Sequence, residues 1–351
     1  MKKPFLPIFL VLISVSPSLA FTPLGWSVGV DAGSTSNLFN DSLDIEDRYG
    51  SLSLSLEQIL SPNLLVTYDG YGQTYNDYGD LSNIQHLAGL EVGGFVGSRG
   101  EAWGAVQGFT LGYGDAYNLY NRRGYGAETG INWYLSNRLR LRATGSWNAT
   151  HYPNADTLAV DYNDLQVYGG VNIATTINLA ADLETGLQRR SYSDLNTATS
   201  TTFSWTTLRL SGRLGQGTGG ALTLMMRSQL SVGSKGLVAL YEGGVDPGNL
   251  LWDGWRVGGE VNRIAGPWRF TLGGQVGVAR YVEIQALTDR EARDDTTRRL
   301  MVALRRTLNT PPEAPAVAVG FSVSWTDNAS TVSYFTWSGF SATVSLSLIS
   351  L

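Results

Sequence analysis

Apolar and polar side chains take turns along most of this chain. From residue 125 onward, Tyr125, Ala127, Thr129, Ile131 and Trp133 fall on one side, with Gly126, Glu128, Gly130 and Asn132 on the other. Leu139, Leu141 and Ala143 then oppose Arg138, Arg140, Arg142 and Thr144, and Ser136-Asn137 separates the two runs. A period of two marks a β-strand, and the intervening pair has hairpin-turn chemistry. The same unit recurs from residue 25 onward, and helical periodicity is almost absent. Leu52, Leu54 and Leu56 oppose Ser51, Ser53 and Ser55, while Val317, Val319, Phe321 and Val323 oppose small residues. Only residues 297–308 blur the pattern. There Arg298-Arg299 and Arg305-Arg306 place charge on both faces, as suits strand ends at a membrane interface.

Turn chemistry punctuates the strands at Ser61-Pro62-Asn63, 97–100, Ser136-Asn137, 174–176, 215–219, 265–267 and 309–315. Longer polar segments lie between these turns, at about 37–48, 76–82, 114–123, 149–161, 192–200, 233–254, 283–296 and 326–333. Short turns and long loops in strict alternation predict an all-β chain of about sixteen strands, with fourteen or eighteen also compatible. The fold expected is a closed antiparallel transmembrane β-barrel whose apolar face meets lipid and whose polar face lines a lumen. Both termini then lie on the short-turn side.

Composition sharpens this picture. Mean hydropathy is −0.07 and, after the N-terminal segment, no apolar run is long enough for a helical span. A barrel hides its hydrophobicity in every second residue, so a near-neutral value is what it should give. Lys2-Lys3, the apolar run from Phe5 to Val15, and Ser18-Leu19-Ala20 read as a secretory signal over residues 1–20. The barrel would then occupy residues 21–351. Cysteine is absent, which removes disulfides, thiolate metal sites and a lipoprotein anchor. The formal net charge of −5 argues against a nucleic-acid partner.

Aromatic residues cluster toward strand ends. Tyr49, Tyr75, Tyr113, Tyr125, Trp147, Tyr162, Tyr192, Trp205, Trp255, Tyr281, Trp325 and Trp337 fall near long loops. Trp26, Trp103, Trp133 and Trp268 fall near turns. Two belts at the two bilayer interfaces are expected from this spacing. Near the last residue, Phe340, Ala342, Val344, Leu346 and Leu348 alternate with Ser341, Thr343, Ser345 and Ser347. With this strand the sequence resembles the bacterial outer-membrane β-barrel proteins, porin-like ones included, although Leu351 stands where Phe or Trp is usual. Ser36-Asn37 and residues 83–86 are loosely similar to barrels of surface-polysaccharide export. The resemblance implies an outer-membrane location with periplasmic termini. It also implies lipid and lipopolysaccharide contacts, the barrel-assembly machinery and export-system components as partners.

Charge divides by segment. Acidic residues concentrate in the long loops, and every cation of the strands is Arg. Charges within the span should face the lumen, because a cation facing lipid at mid-depth costs roughly 2–4 kcal/mol. The expected lumen lining is Arg138, Arg140, Arg142, Arg190, Arg209, Arg213, Arg227, Arg256 and Arg269, countered by Glu91, Glu128, Asp164, Asp182, Glu184 and Glu260. These residues either favour small anionic solutes or cross-link neighbouring strands inside a filled barrel. Glycines in 233–254 suit a loop that folds inward as a constriction. Acidic groups such as Asp41, Asp44, Glu46 and Asp47, or Asp289, Glu291, Asp294 and Asp295, lack the spacing of an ordered cation loop.

No cofactor or metal motif is present. His86 lies in a strand; His151, with Asp156 and Asp161 downstream, is the one catalytic candidate, and no G-x-S-x-G accompanies it. A porin-like channel is therefore the first expectation. A non-catalytic barrel of a polysaccharide export system comes second, and a surface hydrolase third.

Overall fold

The computed structural model describes residues 24–38, 45–154, 161–176, 178–192, 200–232, 252–281, 293–308, 314–331 and 333–350. Sixteen strands run through them. The first eight are β1 (Gly25–Thr35), β2 (Asp47–Ser61), β3 (Leu64–Tyr75), β4 (Asn83–Val96), β5 (Gly100–Tyr113), β6 (Arg122–Ser136), β7 (Leu139–His151) and β8 (Tyr162–Thr176). The others are β9 (Leu179–Tyr192), β10 (Ser200–Gly215), β11 (Thr218–Val232), β12 (Trp252–Ala265), β13 (Trp268–Tyr281), β14 (Arg293–Leu308), β15 (Ala316–Ser330) and β16 (Trp337–Ser350). Each pairs antiparallel with its sequence neighbours, and β1 pairs with β16 from Trp26↔Ser350 to Thr35↔Ser341. The sheet closes with no free edge. Among the described residues, helix is limited to short 3-10 turns at Gly79–Leu81, Asp115–Tyr120 and Ser333–Phe335, all at the long-loop end.

The turns explain the register. Gly217 and Gly266 adopt φ of 68° and 57°, conformations that admit glycine readily and other L-residues poorly. One predicted turn is displaced. Residues 174–176 belong to β8, and Asn178, immediately before β9, supplies the turn chemistry that Ala and Thr lack. The polar run that begins at 326 is likewise strand rather than loop, since β15 continues to Ser330. Polarity misled there because Asn328 is buried on the inward face.

Alternation gives the ring two unlike surfaces. Leu52, Met226 and Leu272 are each more than half exposed, with Val30, Leu90, Leu165, Leu187, Leu300 and Phe321 on the same outward face. Such a surface is the exterior of a barrel whose solvent is hydrocarbon. The other face holds the buried polar groups Asp47, Thr144, Asp164, Arg190, Asp295 and Asn328. Its side chains converge across intervening strands: Tyr49 reaches Thr343 at 2.6 Å, and Arg305 donates to Ser347 at 2.9 Å. Contacts that skip a strand arise only on the concave side, so this face is the interior. In β14 the doubled arginines split accordingly. Arg299 and Arg305 turn inward, while Arg298 lies 3.5 Å from Asp327 and Arg306 sits 5.1 Å over Trp268 at opposite ends outside.

The aromatic belts need correction. Tyr125, Trp147, Trp255 and Trp325 face outward at the loop end, and Trp133 and Trp268 at the turn end. Tyr49, Tyr75, Tyr113, Tyr162, Trp205, Tyr281 and Trp337 face inward at the barrel mouth, and Trp103 faces inward near the turns. Position along a strand fixes depth, but parity fixes the face, and the expectation used only the first.

Two outcomes follow. In urea unfolding from lipid vesicles, Val323→Arg at the outward centre of β15 should cost about 2–4 kcal/mol, whereas its inward neighbour Ser322→Arg should cost far less. Equal costs would contradict the assigned faces. Arg190 holds Asp164 through two bonds of 2.9 Å with both groups buried, beneath the Tyr162 ring at 3.8 Å. Arg190→Met should therefore cost about 3–5 kcal/mol in the same measurement, most of it recovered by adding Asp164→Leu.

Candidate functional site in the barrel interior

The strand pairings decide which charges share the interior. Arg140, Arg142, Arg190, Arg209, Arg213, Arg227, Arg256 and Arg269 lie on the inward face, with Glu91, Glu128, Asp164, Asp182, Glu184 and Glu260. Arg138 does not. It occupies the β6–β7 turn, where its N–H meets the Ser136 hydroxyl at 3.2 Å, one residue short of the strand that would have pointed it inward.

Inward charges sort into three sectors. On β6–β9 the cations Arg142 and Arg190, unlike Arg140, are met by anions: Arg142 contacts Glu184 at 2.5 Å and Asp182 at 3.5 Å across β8. Asn172 donates to Asp182 at 3.1 Å, Trp205 to Glu184 at 3.4 Å, and Tyr168 to Glu128 at 3.2 Å. Gly186 makes room for this network, since a Cβ there would lie 2.5 Å from the Trp205 ring.

On β1–β5 the inward charges are all acidic: Asp31, Asp47, Glu57, Asp69, Glu91 and Glu101. Ser51 donates to Asp31 at 3.1 Å, Ser55 to Asp69 at 2.5 Å and Tyr134 to Glu101 at 2.8 Å. Asp47 is a scaffold group, accepting backbone N–H bonds from Arg48, Asp77 and Tyr78. The only cation on these five strands, Arg48, points outward.

On β10–β14 the balance reverses. Arg209, Arg213, Arg227, Arg256, Arg269, Arg293, Arg299 and Arg305 face Glu260 and Asp295 alone. Arg293 is engaged by Asp295 at 2.5 Å and sandwiched between the Tyr281 and Phe335 rings. Arg256 lies 4.6 Å over Trp252, and Arg269 leans on Asn262. Among the described residues Arg209, Arg213, Arg269, Arg299 and Arg305 form no ion pair. A niche of about 430 Å³ opens in this wall between Arg209, Glu260, Gln275 and Arg299, floored by Ala221, Gly258 and Gly273.

In a ring of sixteen, β3 and β11 are diametrically opposed. The acidic sector thus confronts the basic one across the interior. Asp31, Glu57, Asp69, Glu101, Arg299 and Arg305 did not figure in the expected lining. Alternation alone could have placed them on the polar face, but only the strand count tells which wall stands opposite which.

The histidines lie elsewhere. His86 and His151 are both on the outward face; His151 Nδ1 is 2.5 Å from Asp161 Oδ2, and His86 Nδ1 is 2.7 Å from the Tyr68 hydroxyl. Among the described residues no serine or threonine hydroxyl bonds either imidazole, and no three metal-ligating side chains gather. The expected signal segment, the 233–254 constriction over 233–251, Asp156, and the acidic groups at Asp41, Asp44, Asp289 and Glu291 lie outside the described residues. Of the latter group Asp294 and Asp295 separate, Asp294 outward beside Arg280 at 3.5 Å and Asp295 inward on Arg293.

No protein-family model matches the chain, and no curated protein matches its sequence. Solved structures do match in shape. CdiB from Acinetobacter baumannii aligns over 94% of this chain at 10% identity and a TM-score of 0.57. The chain spans 60% of that protein's length. A bacterial polysaccharide outer membrane secretin aligns over 93% of this chain and 98% of its own, at 12% identity and a TM-score of 0.52. OccD3 (OpdP) from Pseudomonas aeruginosa aligns over 96% and 95%, at 8% identity and a TM-score of 0.51. The fold is that of the bacterial outer-membrane β-barrels.

Proposed function

We propose that the chain forms an outer-membrane channel for small polar solutes, entered from the long-loop end and left at the periplasmic turns. The observation that carries this reading is the confrontation of an acidic wall on β1–β5 with a basic wall on β10–β14 in a barrel of sixteen strands. Sixteen strands are enough for an aqueous bore. Charges that served only to knit the sheet would be paired nearby, as Arg142 and Arg190 are on β6–β9; walls in which one sign predominates have no such use. The field between them runs across the bore and orients a solute carrying both charges, with its anionic end toward Arg209 and Arg299. The niche beside those arginines suits a carboxylate. Preference for anions over cations is then a local property of the basic wall rather than of the whole interior, where the two signs are similar in number.

A second reading has its own support in the likeness to a polysaccharide outer membrane secretin. On that reading the barrel is the outer exit of an export system and works with periplasmic partners. A hydrolase is the least supported, because the His151–Asp161 pair lacks a hydroxyl nucleophile among the described residues.

Purified protein in planar bilayers should conduct. Arg209→Gln with Arg299→Gln should shift the reversal potential in a salt gradient toward cation preference, and Asp31→Asn with Glu91→Gln toward anion preference. Arg142→Gln, whose charge is already neutralised, should move it least. A folded barrel that passes no current would sink the channel reading and favour the export component.

A further inference from the structure

The two histidines of the chain meet on one row of the outward face. His86, Thr110, Arg123 and His151 are successive cross-strand partners on β4, β5, β6 and β7. The next row toward the barrel's middle is Ala88, Gly108, Tyr125 and Ala149, three small residues and one ring. Below it Leu90, Val106, Ala127 and Trp147 resume the apolar wall. The small row leaves a groove of about 760 Å³ beneath the polar one, edged by Tyr125 packed against Trp147 at 5.5 Å. Clefts that hold ligands span roughly 300–1,000 Å³.

The polar row presents donors outward. His86 Nδ1 and the Tyr68 hydroxyl share a hydrogen bond of 2.7 Å that either can donate. Asp161 is doubly occupied, by His151 Nδ1 and by the Tyr152 N–H at 2.8 Å. Arg123 stands exposed between Thr110 and His151 and forms no ion pair among the described residues. Of the other outward arginines at this end, Arg280 and Arg298 each have a carboxylate at 3.5 Å, from Asp294 and Asp327, whereas Arg48 and Arg189 form no ion pair among the described residues.

We propose that this groove holds a phosphate-bearing, acylated lipid of the outer leaflet, its phosphate on Arg123, His151 and Thr110 and an acyl chain over Ala88, Gly108 and Ala149. The inference rests on the barrel's seat in the membrane and not on whether the barrel conducts. Arg123 lies just above the Tyr125–Trp147 pair, at the depth where headgroups sit, so a phosphate meets it without leaving its own layer. The imidazole of His151 is oriented by Asp161 through Nδ1, which leaves Nε2 for the phosphate. Charge-assisted bonds to Arg hold the phosphate. The trough below would otherwise be a gap against the surrounding chains, and an acyl chain fills it. A free anion would use the cations and leave the trough empty; an uncharged lipid would do the reverse.

Native mass spectrometry of the full chain in detergent, titrated with dioleoyl phosphatidic acid, tests this directly. One tightly retained lipid is expected, and Arg123→Gln with His151→Gln should weaken its retention about tenfold or more. Ala88→Trp, which fills the trough and keeps the cations, should weaken it as well. Arg189→Gln, an outward arginine outside the groove, should leave it unchanged. The heat-dependent gel shift of a closed barrel checks that each variant is folded. Equal retention by wild type and the double variant overturns the proposal. So does equal retention of dioleoyl phosphatidylcholine, or full displacement by millimolar inorganic phosphate. Loss of conductance bears only on the channel reading and leaves this one standing.

Discussion

A backbone amide in hydrocarbon has no water to turn to, and an unsatisfied one costs several kcal/mol. The pairing of β1 with β16 answers that constraint, since it removes the last two rows of unmatched N–H and C=O groups. Once the ring is closed, every other feature follows from which way a side chain points. A one-residue slip between any two strands would carry Leu, Val and Phe into the bore and Arg and Glu into lipid. The glycine turns at Gly217 and Gly266, fixed at the end of the strands, guard against such slips.

The interior is therefore the only place for charge at mid-depth, and the chain uses it in two ways. On β6–β9, Arg142, Arg190, Asp164, Asp182 and Glu184 are bonded to one another, and their fields cancel within a few ångströms. On the facing walls they do not cancel. At about 10 Å in water one charge acts on another with only roughly 0.4 kcal/mol, and salt screens beyond that distance. A single arginine would hardly guide a solute. Several of one sign on β10–β14, opposed by several of the other on β1–β5, add their effects across the same bore.

Much of this is legible in the sequence, and the limit has a physical shape. Strand number, the placement of five of the seven turns and the identity of the apolar face come from period and turn chemistry, both local properties; a sixth, at 309–315, lies mostly outside the described residues. The turn placed at 174–176 failed because Ala-Thr-Thr is merely polar, while the reversal needs a residue such as Asn178. The aromatic belts failed in half their members because Tyr49, Tyr75 and Tyr281 share depth with Tyr125 but not parity. Arg138 was counted with Arg140 and Arg142 by alternation, yet the strand begins one residue later. Hardest to foresee was the opposition of walls, for Asp31 and Arg209 are far apart in sequence and face each other only through the number of strands between them.

The outward row at His86, Thr110, Arg123 and His151 belongs to the same class of fact. Each residue read alone has an ordinary explanation: a strand histidine, a loop histidine, an arginine near a strand end. Pairing registers put the four side by side, and the same registers align Ala88, Gly108 and Ala149 one step below them, with Tyr125 between the last two. Random placement of small residues on four strands would scatter shallow dimples over the wall. Their alignment beneath Arg123 and its polar neighbours makes a single trough with a charged rim. In a bilayer a trough of that kind has only lipid to fill it, and the rim then selects which lipid.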